Sequence, residues 1–277
     1  MRARRRLFPW ILAALAGCGG APATPVPDHP PSAQAATAAP PSAFGRPPRA
    51  LGADAPEAAD VSAIVGRYRD ELGAKLSVPV GRAEADITPT GEPSNALGQL
   101  VADEMLAHLR SMPEHTVDLF VTNDGGLRTP LYGGQILLRH VYEVMPFDNE
   151  LVVLELDGAT VQRILDLVAR KGGEPLAGAR LVIDPTAGRA HEVTVNARPL
   201  DPSARYRLGT TDYLADSGWL HEVVDGLPVT RTGILMRDAI VTRLRERDAR
   251  GEVLRPVVDD RIRLVSGAAA PEKGNYP

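Results

Sequence analysis

Apolar residues recur every three or four positions at Val61, Ile64, Val65, Tyr68 and Leu72, and again at Leu97, Leu100, Val101 and Met105. That spacing predicts two amphipathic helices, the second capped by Ser94 or Asn95. The pattern then changes. Val117-Asp118-Leu119-Phe120-Val121 reads as a buried strand that runs into Thr122-Asn123-Asp124-Gly125-Gly126, a glycine-rich turn. Glu150 to Leu156 is a second strand, followed by Asp157-Gly158 and a helix with Val161, Ile164, Leu165 and Val168 inward. Ala179 to Ile183, His191 to Val195 and Arg205 to Thr210 form a further strand group. A helix from about Gly233 to Arg250 precedes a last strand from Arg261 to Val265. No βαβ period repeats, so the expected class is α+β, a mixed α/β sheet flanked by helices in a single domain.

The ends of the chain read differently. Arg2, Arg4, Arg5 and Arg6 precede an apolar stretch from Leu7 to Leu15, as in a targeting signal, and the stretch is too short to span a bilayer comfortably. It closes on Leu15-Ala16-Gly17-Cys18, which resembles the bacterial lipobox and makes Cys18, the only cysteine, the expected site of lipidation. Residues 19–58 are rich in Pro and Ala and are expected to be a tether, with the folded domain at 59–266 and a flexible tail at 267–277. The expected location is therefore the bacterial cell envelope, on a lipid anchor, at the outer membrane or the periplasmic face. Composition narrows the partners: a net charge of -4 and a pI near 5.9 argue against a dedicated nucleic-acid binder.

The series Leu97-Gly98-Gln99-Leu100-Val101-Ala102-Asp103, Thr122-Asn123-Asp124-Gly125-Gly126-Leu127-Arg128 and Tyr142-Glu143-Val144-Met145-Pro146-Phe147-Asp148-Asn149 resembles the C-terminal domain of the 5'-nucleotidase family. Leu154 to Gly158, Leu200-Asp201-Pro202, Tyr206-Arg207-Leu208 and Thr211 to Ala215 extend the resemblance in order and spacing. It implies a substrate-binding domain, whose family partner is an N-terminal metallophosphoesterase domain holding two metal ions. The Asp-x-His, Gly-Asp and Gly-Asn-His-Glu motifs of that partner do not occur in this sequence, and the six histidines are scattered without metal-ligand spacing. Hence no catalytic residue, cofactor or metal is expected.

Gly125 and Gly126 would let the backbone approach a ligand closely and take positive φ, and the resemblance assigns Asn123 and Arg128 to nucleoside and phosphate or ribose contacts. A plain tight turn, with Asn123 capping its own backbone and Arg128 paired locally, remains the alternative. Phe147 aligns with an aromatic that stacks on a nucleobase, or else plugs the core. The opposing aromatic is either Trp219 or His221. Asp124 stands where the family usually has glycine and adds negative charge; Pro93 and Ser94 stand where it often has Arg and Glu. Arg139 and Glu143 are expected to form an exposed pair, and Arg243, Arg245, Arg247 and Arg250 a solvated helix face. The Asn123 turn and the Phe147 corner are expected to share one cleft.

Three functions are compatible with these residues. The first is a lipid-anchored protein binding a nucleotide or related phosphorylated compound without chemistry of its own. The second is the substrate-binding half of a split hydrolase whose separate metallophosphoesterase chain supplies the metals. The third is an envelope scaffold with no pocket.

Overall fold

The computed structural model describes residues 59–268; Cys18, the tether and most of the C-terminal tail lie outside the described residues. The elements run α1 (Ala59–Leu76), β1 (Pro79–Ala83), α2 (Ala96–Arg110), β2 (Leu119–Val121), β3 (Gly134–Leu137), α3 (Leu138–Val144), β4 (Glu150–Asp157) and α4 (Gly158–Arg170). There follow β5 (Leu176–Ala177), β6 (Ala179–Asp184), β7 (Arg189–Val195), β8 (Arg198–Pro199), β9 (Arg205–Thr211), α5 (Asp212–Asp216), α6 (His221–Val224), β10 (Val229–Leu235), α7 (Met236–Ala249) and β11 (Ile262–Leu264).

The centre is a five-stranded sheet in the order β10-β4-β9-β2-β5, mixed because only β2 and β9 run parallel. β2 and the middle of β4 read as unbroken apolar runs because both faces of the sheet are covered there. Side chains alternate across the sheet: Phe120, Leu151 and Val153 enter one core with α2 and α7, while Leu119, Val121, Val152 and Leu154 enter a second core with α4. The expected further strand group divides: Ala179 to Ile183 and His191 to Val195 lie in β6 and β7 of a separate four-stranded sheet, β11-β6-β7-β8, while Arg205 to Thr210 lie in β9 of the central one. A two-stranded ribbon of β1 and β3 packs beside α7.

Helix α4 shows how local sequence fixes position. The Asp157 carboxylate caps it by accepting from the Thr160 amide at 2.8 Å, and Val161, Ile164, Leu165 and Val168 are all buried as their spacing predicts. Helix α2 begins on Asn95, whose side chain accepts from the Gly98 amide at 2.6 Å.

Three expectations need correction. The helix placed from Gly233 begins at Met236, because Val229 to Leu235 pair with β4 as the edge strand β10. The face of α7 is only partly solvated: Arg245 and Arg250 are exposed, but Arg243 and Arg247 turn inward onto Glu104, a carboxylate only 2% exposed. Finally, α1 is helical as its spacing predicts, yet Val61, Val65, Tyr68 and Leu72 are each about half exposed, and the helix makes only a slight contact with α3. Among the described residues no helix is long and apolar enough to cross a membrane.

Candidate functional site

Strand directions decide where loops gather. Leu151 of β4 pairs with Thr211 of β9, Glu150 with Leu235 of β10, and Val121 of β2 with Leu176 of β5, so five strand ends meet at one edge of the central sheet. Thr122-Asn123, Asn149, Glu174-Pro175, Asp212 and Met236-Arg237 therefore come together from distant parts of the chain. A sheet edge of this kind is a rigid frame carrying adaptable loops.

The first loop is the turn after β2. Thr122 donates its amide to Pro175 O at 3.0 Å, and Asp124 to Gly126 form a single 3-10 turn closed by the Leu127 amide on Asp124 O at 2.9 Å. The Arg128 amide donates to Val144 O at 2.8 Å, which ties the turn to the end of α3. Behind it, the buried Glu174 carboxylate accepts from the Asp124 amide at 2.9 Å and pairs with Lys171 at 3.5 Å.

Two sequence expectations about this turn are corrected. Gly125 and Gly126 do not adopt positive φ, since both lie within a right-handed 3-10 turn. A Cβ at either position would instead meet the Asn123 amide at 3.4 Å, so their smallness leaves that side chain room over the turn. The Asp124 charge does not face the cleft described below. Its carboxylate accepts from Asn95 Nδ2 at 2.8 Å, beside the N-terminus of α2, where the helix dipole favours a negative charge. Asn123 makes no capping hydrogen bond with its side chain. Arg128 is exposed and donates locally, to Gly125 O at 3.0 Å, rather than to an acid.

The second loop is the Pro146-Phe147 corner between α3 and β4. Together the two loops line a shallow cleft of about 10 Å³ whose floor is Thr122, Met145, Met236 and Arg237 and whose rim is Asn123, Gly126, Phe147 and Asn149. The structure thus brings Asn123, Gly126 and Phe147 to one cleft, while Gly125 and Arg128 share the turn without lining it. Phe147 is 47% exposed and does not plug the core.

Trp219 and His221 also stand outside the lining. Trp219 packs on the second core, with the Lys171 ammonium 5.9 Å from its ring centroid. Since Lys171 pairs with Glu174, which holds the Asp124 amide, Trp219 adjoins the back of the turn rather than the cleft. His221 opens α6 with Nδ1 2.9 Å from Ala215 O and Nε2 3.8 Å from Asp225, so its ring is engaged by its own short helix and the loop before it.

The residue that sequence reasoning missed is Arg237, whose side chain is 8% exposed. It reaches from the start of α7 to the Phe147 corner, donating to Met145 O at 3.4 Å and Phe147 O at 3.3 Å and pairing with Asp148. Its guanidinium also lies over the Tyr142 ring, 4.2 Å from the centroid. No periodic signal marks such a residue; only its place at a strand-to-helix junction could have drawn notice. Among the described residues no group of three or more His, Cys, Asp or Glu is arranged to hold a metal ion.

Comparison with known proteins places this geometry. A family model described as "5'-nucleotidase, C-terminal domain" matches residues 73–224. The protein UshA of Yersinia enterocolitica is 29% identical over 166 residues, which are 58% of this chain and 30% of that protein. A probable 5'-nucleotidase of Treponema pallidum is 29% identical over 134 residues, 42% of this chain and 23% of that one. The chain thus spans less than a third of the length of these relatives. Among solved structures, a 5'-nucleotidase precursor of Thermus thermophilus superposes with a TM-score of 0.62 at 23% identity, over 76% of this chain and 44% of that one. The NAD nucleotidase of Haemophilus influenzae gives 0.58 at 18% identity, over 75% and 41%.

Proposed function

The chain belongs to the family of 5'-nucleotidase C-terminal domains, and from that premise we propose that its cleft binds a nucleotide or related phosphorylated compound, with the base stacked on Phe147 and the Asn123 amide reaching its polar edge. The observation that carries this reading is the half-exposed Phe147 ring on the rim of a cleft shared with Asn123. An aromatic ring left in water beside an uncapped amide contributes little to stability, whereas stacking a base on it contributes about 1 to 3 kcal/mol to binding. In this reading the chain captures its ligand and performs no chemistry on it. The Leu15-Ala16-Gly17-Cys18 segment would hold it at the cell envelope through a lipid on Cys18.

A thermal-shift screen of the chain against nucleosides, nucleotides and nucleotide sugars tests the proposal. Ligand at a hundredfold excess over its dissociation constant should stabilise the fold by about 2.7 kcal/mol. No shift with any of them at millimolar concentration would remove the ligand reading. Anchoring is tested by Cys18→Ser, which should release the protein from the membrane pellet after a salt wash.

One observation favours a second reading, the substrate-binding half of a split 5'-nucleotidase. At about 10 Å³, with a single aromatic among its lining residues, the cleft falls far below the roughly 300 Å³ at which small-molecule pockets begin. A second protein surface would complete it, and a separate metallophosphoesterase chain would supply both that wall and the metals. Phosphate release from AMP only when the two chains are mixed would select this reading.

A further inference from the structure

We infer that Arg237 is the positioning residue for Phe147, fixing the ring so that a base meets a preformed stacking face. This deepens the ligand reading of the same cleft and rests on it, although the ordering of the corner can be measured without any ligand.

The corner has few other fixings. Pro146, Phe147 and Asp148 are all exposed and belong to neither α3 nor β4. Arg237 crosses from α7 and bonds two of the local carbonyls, Met145 O at 3.4 Å and Phe147 O at 3.3 Å, through one Nη, while the other Nη meets the Asp148 carboxylate. The flat face of the guanidinium is held against Tyr142. A planar fork with several fixed donors can satisfy these partners together; an ammonium on a flexible stem cannot.

The energetics point the same way. Burying a guanidinium costs free energy unless every donor is matched, and Arg237 Nε is buried with no partner. Its one anionic partner, Asp148, is largely in solvent, so the pair is a poor device for stability alone. What the arrangement gains is geometry: Phe147 flanked on both sides by restrained residues. Stacking is sensitive to ring placement, so a corner free to sample several positions would pay an ordering cost at each binding event.

The test uses the full chain labelled with 4-fluorophenylalanine. Of its four phenylalanines, Phe147 is assigned by Phe147→Leu, and the fully buried Phe120 reports the fold. In the wild type, the Phe147 fluorine signal should be single and narrow and should move on adding adenosine. In Arg237→Lys it should broaden or split, Phe120 should stay unchanged, and adenosine affinity should fall about fivefold or more. In a Phe147→Ala background the same Arg237→Lys change should leave affinity nearly unaltered, which a merely structural role would not produce.

An Arg237→Lys signal as narrow and as responsive as the wild type overturns the inference. So does an equal disturbance of Phe120, which would make Arg237 a residue of the fold. If adenosine moves no wild-type signal, the ligand reading fails on its own, while broadening of Phe147 in Arg237→Lys still supports the positioning role.

Discussion

Glu104 and Arg243, 139 positions apart in sequence, meet through a 2.9 Å bond from the guanidinium Nε to a carboxylate that is 2% exposed. Arg247 brings its own Nε to the other oxygen at 2.5 Å. The two sides of this cluster are unequal, because the arginines are 17% and 32% exposed and can swing to water while Glu104 cannot. Replacing both arginines by Met should therefore cost about 3 to 5 kcal/mol, the penalty of a buried uncompensated charge. Glu104→Gln should cost less than half of that. Urea unfolding of the two variants at neutral pH checks the order, and equal losses would contradict it.

Phe147 and Phe120 make an internal comparison, one 47% exposed on the cleft rim and the other fully buried in the first core. Phe147→Ala should lower adenosine affinity by about 1 to 3 kcal/mol and change unfolding free energy by less than about 1. Phe120→Ala should destabilise by roughly 3 to 5 kcal/mol. Calorimetric titration and denaturant melts on both variants separate a binding role from a packing one.

His108 carries a pH signature. Burial, and after it the Arg243 guanidinium, hold its pKa below the ordinary value of 6.5, with Glu246 opposing. With the folded pKa depressed, the unfolded chain takes up the proton first. The contribution to stability is present above about pH 6.5 and is lost as pH falls from there through the folded pKa. The wild type should thus lose more unfolding free energy than His108→Gln between pH 7.5 and 5.5. Parallel pH profiles for the two would contradict this.

Gly173 and Gly134 both hold positive φ, +111° and +100°, but differ in surroundings. A Cβ at Gly173 would lie 1.8 Å from Pro93 O, whereas one at Gly134 would meet nothing within 4 Å. Gly134→Ala should cost only backbone strain, about 1 to 2 kcal/mol. Gly173→Ala adds a clash with the backbone and should exceed about 3 kcal/mol or prevent folding. Because Gly173 precedes Glu174, the turn at Asn123 should loosen as well, visible as faster amide exchange at Asp124.

What the sequence showed depended on whether a signal was local. The spacing of Val161, Ile164, Leu165 and Val168 and the cap at Asp157 lie within one helix, and α4 follows from them. The convergence of Asn123 with Phe147 was legible through the resemblance, since two loops at strand ends on one sheet edge can meet. Arg237 was not, because the corner it holds lies about 90 positions earlier and nothing near Arg237 marks that partner. Arg243 and Arg247 were misread for the same reason: their interleaving with Glu246 and Asp248 imitates a solvated face, while Glu104 sits on another helix. The glycines at 125 and 126 suggested left-handed backbone, yet a 3-10 turn needs none.

The crossing of Arg237 to the Phe147 corner also bears on the order in which the chain becomes competent. During synthesis the Asn123 turn and the corner emerge first, and β10 and α7 follow only after β9 and two short helices have been made. The early loops can then collapse onto β2 and β4 without the clasp that sets them, and contacts of such long sequence separation form late. A nascent or C-terminally shortened chain ending before Val229 would carry both loops yet lack Met236 and Arg237, so half of the cleft's floor is supplied only by the later part of the chain.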